Sequence, residues 1–334
     1  MGWPKAFMQC SIAALFTVLL FQTSMAAEPA VIKIATLAPD GTAWAELASK
    51  IKRDIESATS GRVRVILYLG GVMGNDKDTV RKLRLGQLQG GGFSAEGTFL
   101  ACPETGVMQL PYLVDSYEKA DRARELIRPD LDAAAQKNGF KLLCFIEQGY
   151  DALYSKDFPI RKPEDMKKVR TYAWSGPIEE EMLKALGTSP FAIGAAESVA
   201  ALRSGIVNTA PAPAQWVLGT QEYTFLKYIN LHNWHYMPAA IVLTQKAFAS
   251  ISSEDQRAVL EIGKRYEPLF VKEARESERK CYEAFQEYGM QMVTLNPQEE
   301  ALFRKKTRPV WDKFVGKYYS RTLLEKLKQG KGLE

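Results

Sequence analysis

Two histidines, His232 and His235, are the whole imidazole supply of this 334-residue chain. Their spacing of three would set both on one face of a helix, as a metal pair needs. They stand instead in His232-Asn233-Trp234-His235-Tyr236, ahead of a β-like run, where residues three apart face opposite sides. No cysteine or carboxylate stands beside them in sequence to complete a ligand set, so neither a metal nor a cofactor is expected. A Gly-x-Ser-x-Gly elbow is absent, and hydrolysis by an activated serine lacks its motif. Gly70, Gly71 and Gly74 resemble a phosphate loop only loosely, because Asn75-Asp76 follow where a lysine and a hydroxyl are needed. Gly86 and Gly90 to Gly92 do not fit a dinucleotide fingerprint either, and both groups read as tight turns. No catalytic residue is assigned, and the chain is not expected to be an enzyme.

What the chain does carry is aromatic side chains near strand ends and turns. Trp44 begins a helix, and Tyr150 follows a strand in Gln148-Gly149-Tyr150. Tyr172 and Trp174 close the run Val169 to Ala173. Gln215-Trp216 follows the turn Pro211-Ala212-Pro213, and Trp234 and Tyr236 bracket His235. In open α/β sheets, ligands bind outside the carboxyl ends of strands. Aromatics there make an apolar cleft with a few polar handles. Each ring taken singly fits a core position as well. Arg170 has two readings. A guanidinium in a closing cleft suits a carboxylate; beside Lys167 and Lys168 it is an ordinary surface arginine. Strand alternation sets Arg170, Tyr172 and Trp174 on one face, which ties its fate to theirs.

These residues need a scaffold, and strand–helix alternation supplies one. Val31 to Thr36 reads as a strand, and Gly41-Thr42 opens a helix with Trp44, Leu47, Ile51 and Ile55 on one face. Gly61 stops it. Arg62 to Tyr68 is a second strand. A helix carrying Val80, Leu83 and Leu88 follows, then a short strand from Gly90 to Ser94. The pattern returns later: strand Val169 to Ala173, helix Ile178 to Leu186, strand Ser189 to Ile193, a helix containing Ser198 to Leu202, and a strand opening at Ile206 to Asn208. This predicts an α/β protein with mainly parallel connections and two similar lobes, with a crossing point in Tyr150 to Pro163. From Ser252 the chain turns helical, capped by Ser252 or Ser253, and Pro268 should kink or break that helix.

Composition narrows the class. Hydrophobic residues at 46% support a sizeable core, and 25% charged residues suit a water-exposed surface. The net charge of +5 is spread thinly. Its densest stretches, Arg304-Lys305-Lys306 and Lys326 to Lys331, read as solvated helix faces. Without a basic stripe interleaved with aromatics, nucleic acid is not an expected partner. Lys5, the apolar run Ala13 to Phe21 and the small-x-small site Ser24-Met25-Ala26 read as a cleavable export signal, residues 1–26. The run is short for a membrane span, which needs about 20 apolar residues. Export makes Cys102, Cys144 and Cys281 an odd set in an oxidising compartment; Cys102 and Cys144 are a conceivable bridge, and Cys144 otherwise reads as a buried small apolar residue.

Six ordered blocks resemble the extracytoplasmic solute receptors of tripartite ATP-independent periplasmic (TRAP) transporters, the DctP-type group. They are Ile32 to Trp44, Leu69 to Gly74, Leu110 to Leu113, Pro163 to Arg170, Lys184 to Pro190 and Ala201 to Asn208. The resemblance implies a two-lobed periplasmic-binding-protein-like fold of class II with long C-terminal helices. It implies lobe I from 27–148 with 237–278, and lobe II from 149–236 with 279–330. It also implies a function: capture of a small organic ligand outside the inner membrane and delivery to a membrane permease. Family ligands are commonly small organic acids, dicarboxylates among them, held by an arginine on the first strand of lobe II and assisted by an asparagine. Here the arginine falls on Arg170 by local pattern and on Tyr172 by counting back from Gly187. Ala212 stands at the asparagine position, and a second family arginine falls near Asp151. The Tyr172/Trp174 and Gln215-Trp216 pairs resemble a branch with an aromatic pocket, some members of which have a TPR-containing partner. The implied contacts are Trp44 and Ser94 from lobe I, with Tyr150, Arg170, Tyr172, Trp174, Gln215, Trp216 and Tyr236 from the hinge and lobe II. Rival readings are an exported sensor or scaffold and an exported enzyme using the same cleft.

Overall fold

The computed structural model describes residues 28–191, 193–194 and 197–330; the expected export signal, residues 1–26, lies outside them. The first lobe follows the expected alternation. Strand β1 (Ala30–Thr36) leads to helix α1 (Ala43–Ala58), strand β2 (Val63–Tyr68), helix α2 (Asp76–Arg84), strand β3 (Gly90–Phe93) and helix α3 (Ala95–Ala101). Local chemistry explains these ends. Thr42 caps α1 by accepting from the Ala45 amide, and Asn75 caps α2 through the Asp78 amide. A 3₁₀ turn (Pro103–Gln109) and helix α4 (Tyr117–Lys137) then lead into strand β4 (Phe140–Ser155).

The remaining elements are α5 (Pro177–Ala185), α6 (Ser198–Ser204), β5 (Thr209–Pro213), α7 (Ala214–Gly219), β6 (Tyr228–Thr244) and α8 (Gln245–Ala249). They are followed by α9 (Ser253–Glu287), β7 (Gln291–Thr294), α10 (Pro297–Thr307), α11 (Val310–Lys313) and α12 (Arg321–Lys328). One sheet runs β2-β1-β3-β6-β4-β5, with β7 added on β6. Its centre corrects the expectation of mainly parallel connections. The 16-residue β4 and 17-residue β6 pair antiparallel along most of their length, with β-bulges near Leu142, Gln148 and Ala152. They are long enough to serve two lobes. Toward its C-terminal end β6 pairs with β3 at Ala240 to Leu243; toward its N-terminal end it pairs with β7 at Tyr228 to Leu231. The crossing expected after Tyr150 is thus the second half of β4.

Two further expectations fail for physical reasons. Val169 to Ala173 does not form a strand, and neither do the described residues of the second run, Ser189 to Phe191 and Ile193; a single parallel bridge joins Tyr172 to Phe191. The backbone there is held irregularly, with the Asn208 and Thr209 amides both donating to the Arg170 carbonyl and Asn208 Oδ1 accepting from the Arg170 amide. Pro268 does not end α9, which runs unbroken for 35 residues, about 52 Å. Burial of Val259, Ile262, Tyr266, Phe270 and Val271 against the sheet outweighs the one backbone bond that proline removes. Gly263 lets α9 sit this close: a Cβ there would meet the Leu143 carbonyl at 2.6 Å. Cys102, Cys144 and Cys281 are all free and buried, so the Cys102–Cys144 bridge is not formed. No described helix is long and apolar enough to cross a membrane.

Candidate functional site

The turn that opens α5 is wound around one carboxylate. Glu179, in the first turn, accepts at Oε2 from the amides of Trp174 and Ser175 (both 2.8 Å) and from Ser175 Oγ (2.7 Å). Trp174 Nε1 then donates to the Pro211 carbonyl of β5 at 3.0 Å. The Trp174 ring stacks on Trp216 of α7, centroids 5.8 Å apart and planes 26° from parallel. Trp216 is steadied from below, its Nε1 donating to Glu222 Oε1 at 3.3 Å. Both rings are half-buried, packed on the apolar cluster that holds Tyr172, Ala212 and Val217. Beside them Gln215 donates through Nε2 to the Ala274 carbonyl of α9 at 2.9 Å. Its buried Oε1 has no partner, and neither has the Tyr150 hydroxyl. Such atoms cost roughly 1–3 kcal/mol each when left dry.

Directly behind Trp174 lies a buried acidic cluster. Asp151 of β4 and His235 of β6 are register partners, and Asp151 Oδ2 lies 2.8 Å from His235 Nδ1. Glu179 completes the group: one ligand-capable atom from each residue lies within 4.8 Å of the others. All three side chains are buried. Burial pushes the Asp151 carboxyl up, against the pull of His235. Glu179 rises to about 7, from burial first and the neighbouring Asp151 charge second. The absence of a carboxylate beside the histidines in sequence is therefore overturned in space.

Four residues before Asp151, Glu147 is just as buried but fully compensated. It accepts from Arg275 Nε (2.5 Å), Arg124 Nη1 (3.2 Å) and the Tyr236 hydroxyl (2.6 Å). Asp121 closes the network onto both arginines. A groove of about 650 Å³ between α4 and α9 opens over this network, and its three guanidinium groups, on Arg124, Arg128 and Arg275, are all paired. Glu278, pushed up to about 7 mainly by burial, accepts from the Tyr117 hydroxyl and the Tyr150 amide.

The nine expected contacts separate into groups. Tyr172, Trp174, Gln215 and Trp216 gather at one place. Tyr150 and Tyr236 stack edge-on at the strand crossing, centroids 5.5 Å apart, with the Tyr236 hydroxyl committed to Glu147. Ser94 is committed to Asp76, whose Oδ2 also accepts from the Gly97 amide at 3.1 Å. Burial raises that Asp76 carboxyl to about 6. Trp44 packs edge-on against Phe270 of α9, in a different apolar cluster from the tryptophan pair. Arg170 does not share a face with Tyr172 and Trp174. It is exposed, its Nη2 donating to the Gly205 carbonyl at 3.2 Å, while Tyr172 is buried. The irregular backbone breaks the alternation that the expectation needed. His232 parts from His235 as expected: it bonds the Tyr112 hydroxyl at 2.6 Å, and burial pushes it down to about 3. Sequence reasoning missed Asp151, Glu179 and Glu147 as site builders. The available signal was two carboxylates, Glu147 and Asp151, in the middle of the mostly apolar strand Phe140–Ser155.

The pattern of the family described as bacterial extracellular solute-binding protein, family 7 (DctP), matches residues 34–317. Among curated relatives, a solute-binding protein of Chromohalobacter salexigens is 22% identical over 83% of this chain and 81% of its own. The C4-dicarboxylate-binding periplasmic protein DctP of Rhodobacter capsulatus is 24% identical over 89% and 90%. In structure, a TRAP periplasmic solute-binding protein from Roseobacter denitrificans with bound β-D-glucuronate superposes with a TM-score of 0.84. It is 20% identical, over 90% of this chain and 99% of that one. The two-lobed α/β fold is therefore that of the solute receptors, and the chain belongs to the DctP family of bacterial extracellular solute-binding proteins, the receptors that serve TRAP transporters.

Proposed function

We propose that this receptor works in the periplasm, after removal of residues 1–26, and takes up a small, partly apolar organic acid between its lobes for delivery to a TRAP-type permease. Relatives named for a C4-dicarboxylate and crystallised with a glucuronate support an organic acid. The single observation that carries the apolar part is the half-buried Trp174–Trp216 stack with the unpartnered Gln215 Oε1 of the neighbouring residue. A flat or ring-bearing guest gains stacking there and a few directed hydrogen bonds. The proposed lobes are 27–148 with 237–278, and 149–236 with 279–330. The switch of β6 from β7 to β3 supports that division. Tyr172 lines the floor, while Trp44 and Ser94 reach the guest only as the lobes close. Binding favours the closed state by the guest's extra contacts with the second lobe. The protein acts by binding alone, and a retained guest is recovered chemically unchanged. The aromatic-pocket branch extends the partner set to a TPR-containing protein, which co-purification would reveal.

Native mass spectrometry of the purified mature chain identifies the retained guest. Trp174→Ala and Trp216→Ala should each weaken it about tenfold, read as a smaller ligand-induced rise in Tm. Arg170→Ala should leave that rise unchanged. The pocket assignment fails if both tryptophan variants respond like the native protein, and a loss in Arg170→Ala would restore a guanidinium clamp.

A further inference from the structure

We propose that Asp151, Glu179 and His235 form a site for a divalent transition-metal ion, which ties α5 to the strand crossing. The cluster is lined by unused lone pairs. Asp151 Oδ1, Glu179 Oε1 and His235 Nε2 are buried without any hydrogen-bond partner. Glu179 Oε2 is already saturated by three donors, so Oε1 is the oxygen left free to ligate. Asp151 Oδ2 and His235 Nδ1 share a hydrogen bond of 2.8 Å, and ligands on bonds of about 2.1 Å stand roughly 3.0–3.4 Å apart, so this pair must open slightly to take an ion. Two carboxylates and one imidazole on three separate elements match the donor set of zinc or manganese better than the all-oxygen set of magnesium or calcium.

Charge argues the same way. Among the described residues, the only basic side chain acting on Asp151 is the His235 imidazole. Buried carboxylates without a cation are expensive, and a divalent ion neutralises both at once. It would fix Glu179, and through Glu179 the backbone amides of Trp174 and Ser175. The ion would thus set the position of the tryptophan stack without touching the guest.

The test is calorimetric titration of chelator-dialysed mature protein with Zn²⁺, Mn²⁺ and Mg²⁺, with Tm read in parallel. One site per chain is expected for Zn²⁺, weaker binding of Mn²⁺, no heat from Mg²⁺, and a Tm rise on loading. His235→Gln and Glu179→Gln should each lower Zn²⁺ affinity on the order of 100-fold. Glu179→Gln keeps an oxygen for the Trp174 and Ser175 donors, so it separates loss of a ligand from loss of the fold. His232→Gln, which changes the only other histidine, should bind as the native protein does. Absence of a Zn²⁺ site in the native protein, or unchanged affinity in both His235→Gln and Glu179→Gln, overturns the proposal. Either result would leave the guest-binding reading standing, because that reading is scored on the tryptophan variants.

Discussion

Glu147 and Asp151 sit four residues apart on the same strand, equally shielded from water, and their surroundings are opposite. Glu147 is met by two guanidinium groups and a tyrosine hydroxyl, so its charge is matched bond for bond. Asp151 is met by one imidazole and faces a second carboxylate. The first arrangement is a brace, joining α4 and α9 to the crossing strands. The second leaves acceptor atoms without donors, the signature of a place kept for something else. Burial alone therefore does not mark a site; the mismatch between buried charge and buried partners does.

The contrast can be broken most forcefully at the brace. Arg275→Met removes two bonds from Glu147 and two from Asp121. It should cost about 3 kcal/mol, because a buried carboxylate loses half its compensation. Urea denaturation would measure it, and a loss below about 1 kcal/mol would mean that Glu147 is not held as described. The acidic cluster should respond with the opposite sign. In metal-free protein, Glu179→Gln exchanges a charged oxygen for an amide whose N–H can satisfy Asp151. A gain of about 1–2 kcal/mol is expected by the same denaturation. Glu147→Gln in the brace should instead destabilise, since it leaves Asp121 as the only carboxylate for two arginines. Equal signs for the two glutamines would dissolve the distinction between brace and site.

The smallest effect concerns Glu278, which borders both regions through the Tyr150 amide. Its folded-state carboxyl titrates near 7, above the ordinary 4.5, chiefly because it is buried. A raised acid binds its proton more tightly in the folded protein. Its favourable contribution is complete below about pH 4.5 and is lost as pH climbs through 7. Tm measured at pH 5 and pH 8 should thus fall less in Glu278→Gln than in the native chain. An identical decline in both would assign the pH dependence to other groups.

The first lobe was readable because its signals are local. The spacing of Ile51 and Ile55, the Thr42 cap and the arrest of the first helix near Gly61 each act within a few residues, and all reappear. The second lobe was harder. Val169 to Ala173 has strand composition, yet Asn208 and Thr209 take its backbone bonds from far along the chain. Pro268 carries a strong local veto on helix, and packing of α9 on the sheet overrides it.

Sequence by itself determined the family, the strand–helix order of the first lobe and the aromatic character of the residues around the tryptophan pair, since these rest on residue types and near-neighbour spacing. Only tertiary structure decided that Arg170 faces solvent, that Trp174 stacks on Trp216, and that Asp151, Glu179 and His235 converge. Those three residues come from β4, α5 and β6, as many as 84 positions apart. Their meeting depends on strand register and on how one helix seats against the sheet, quantities that no local pattern encodes.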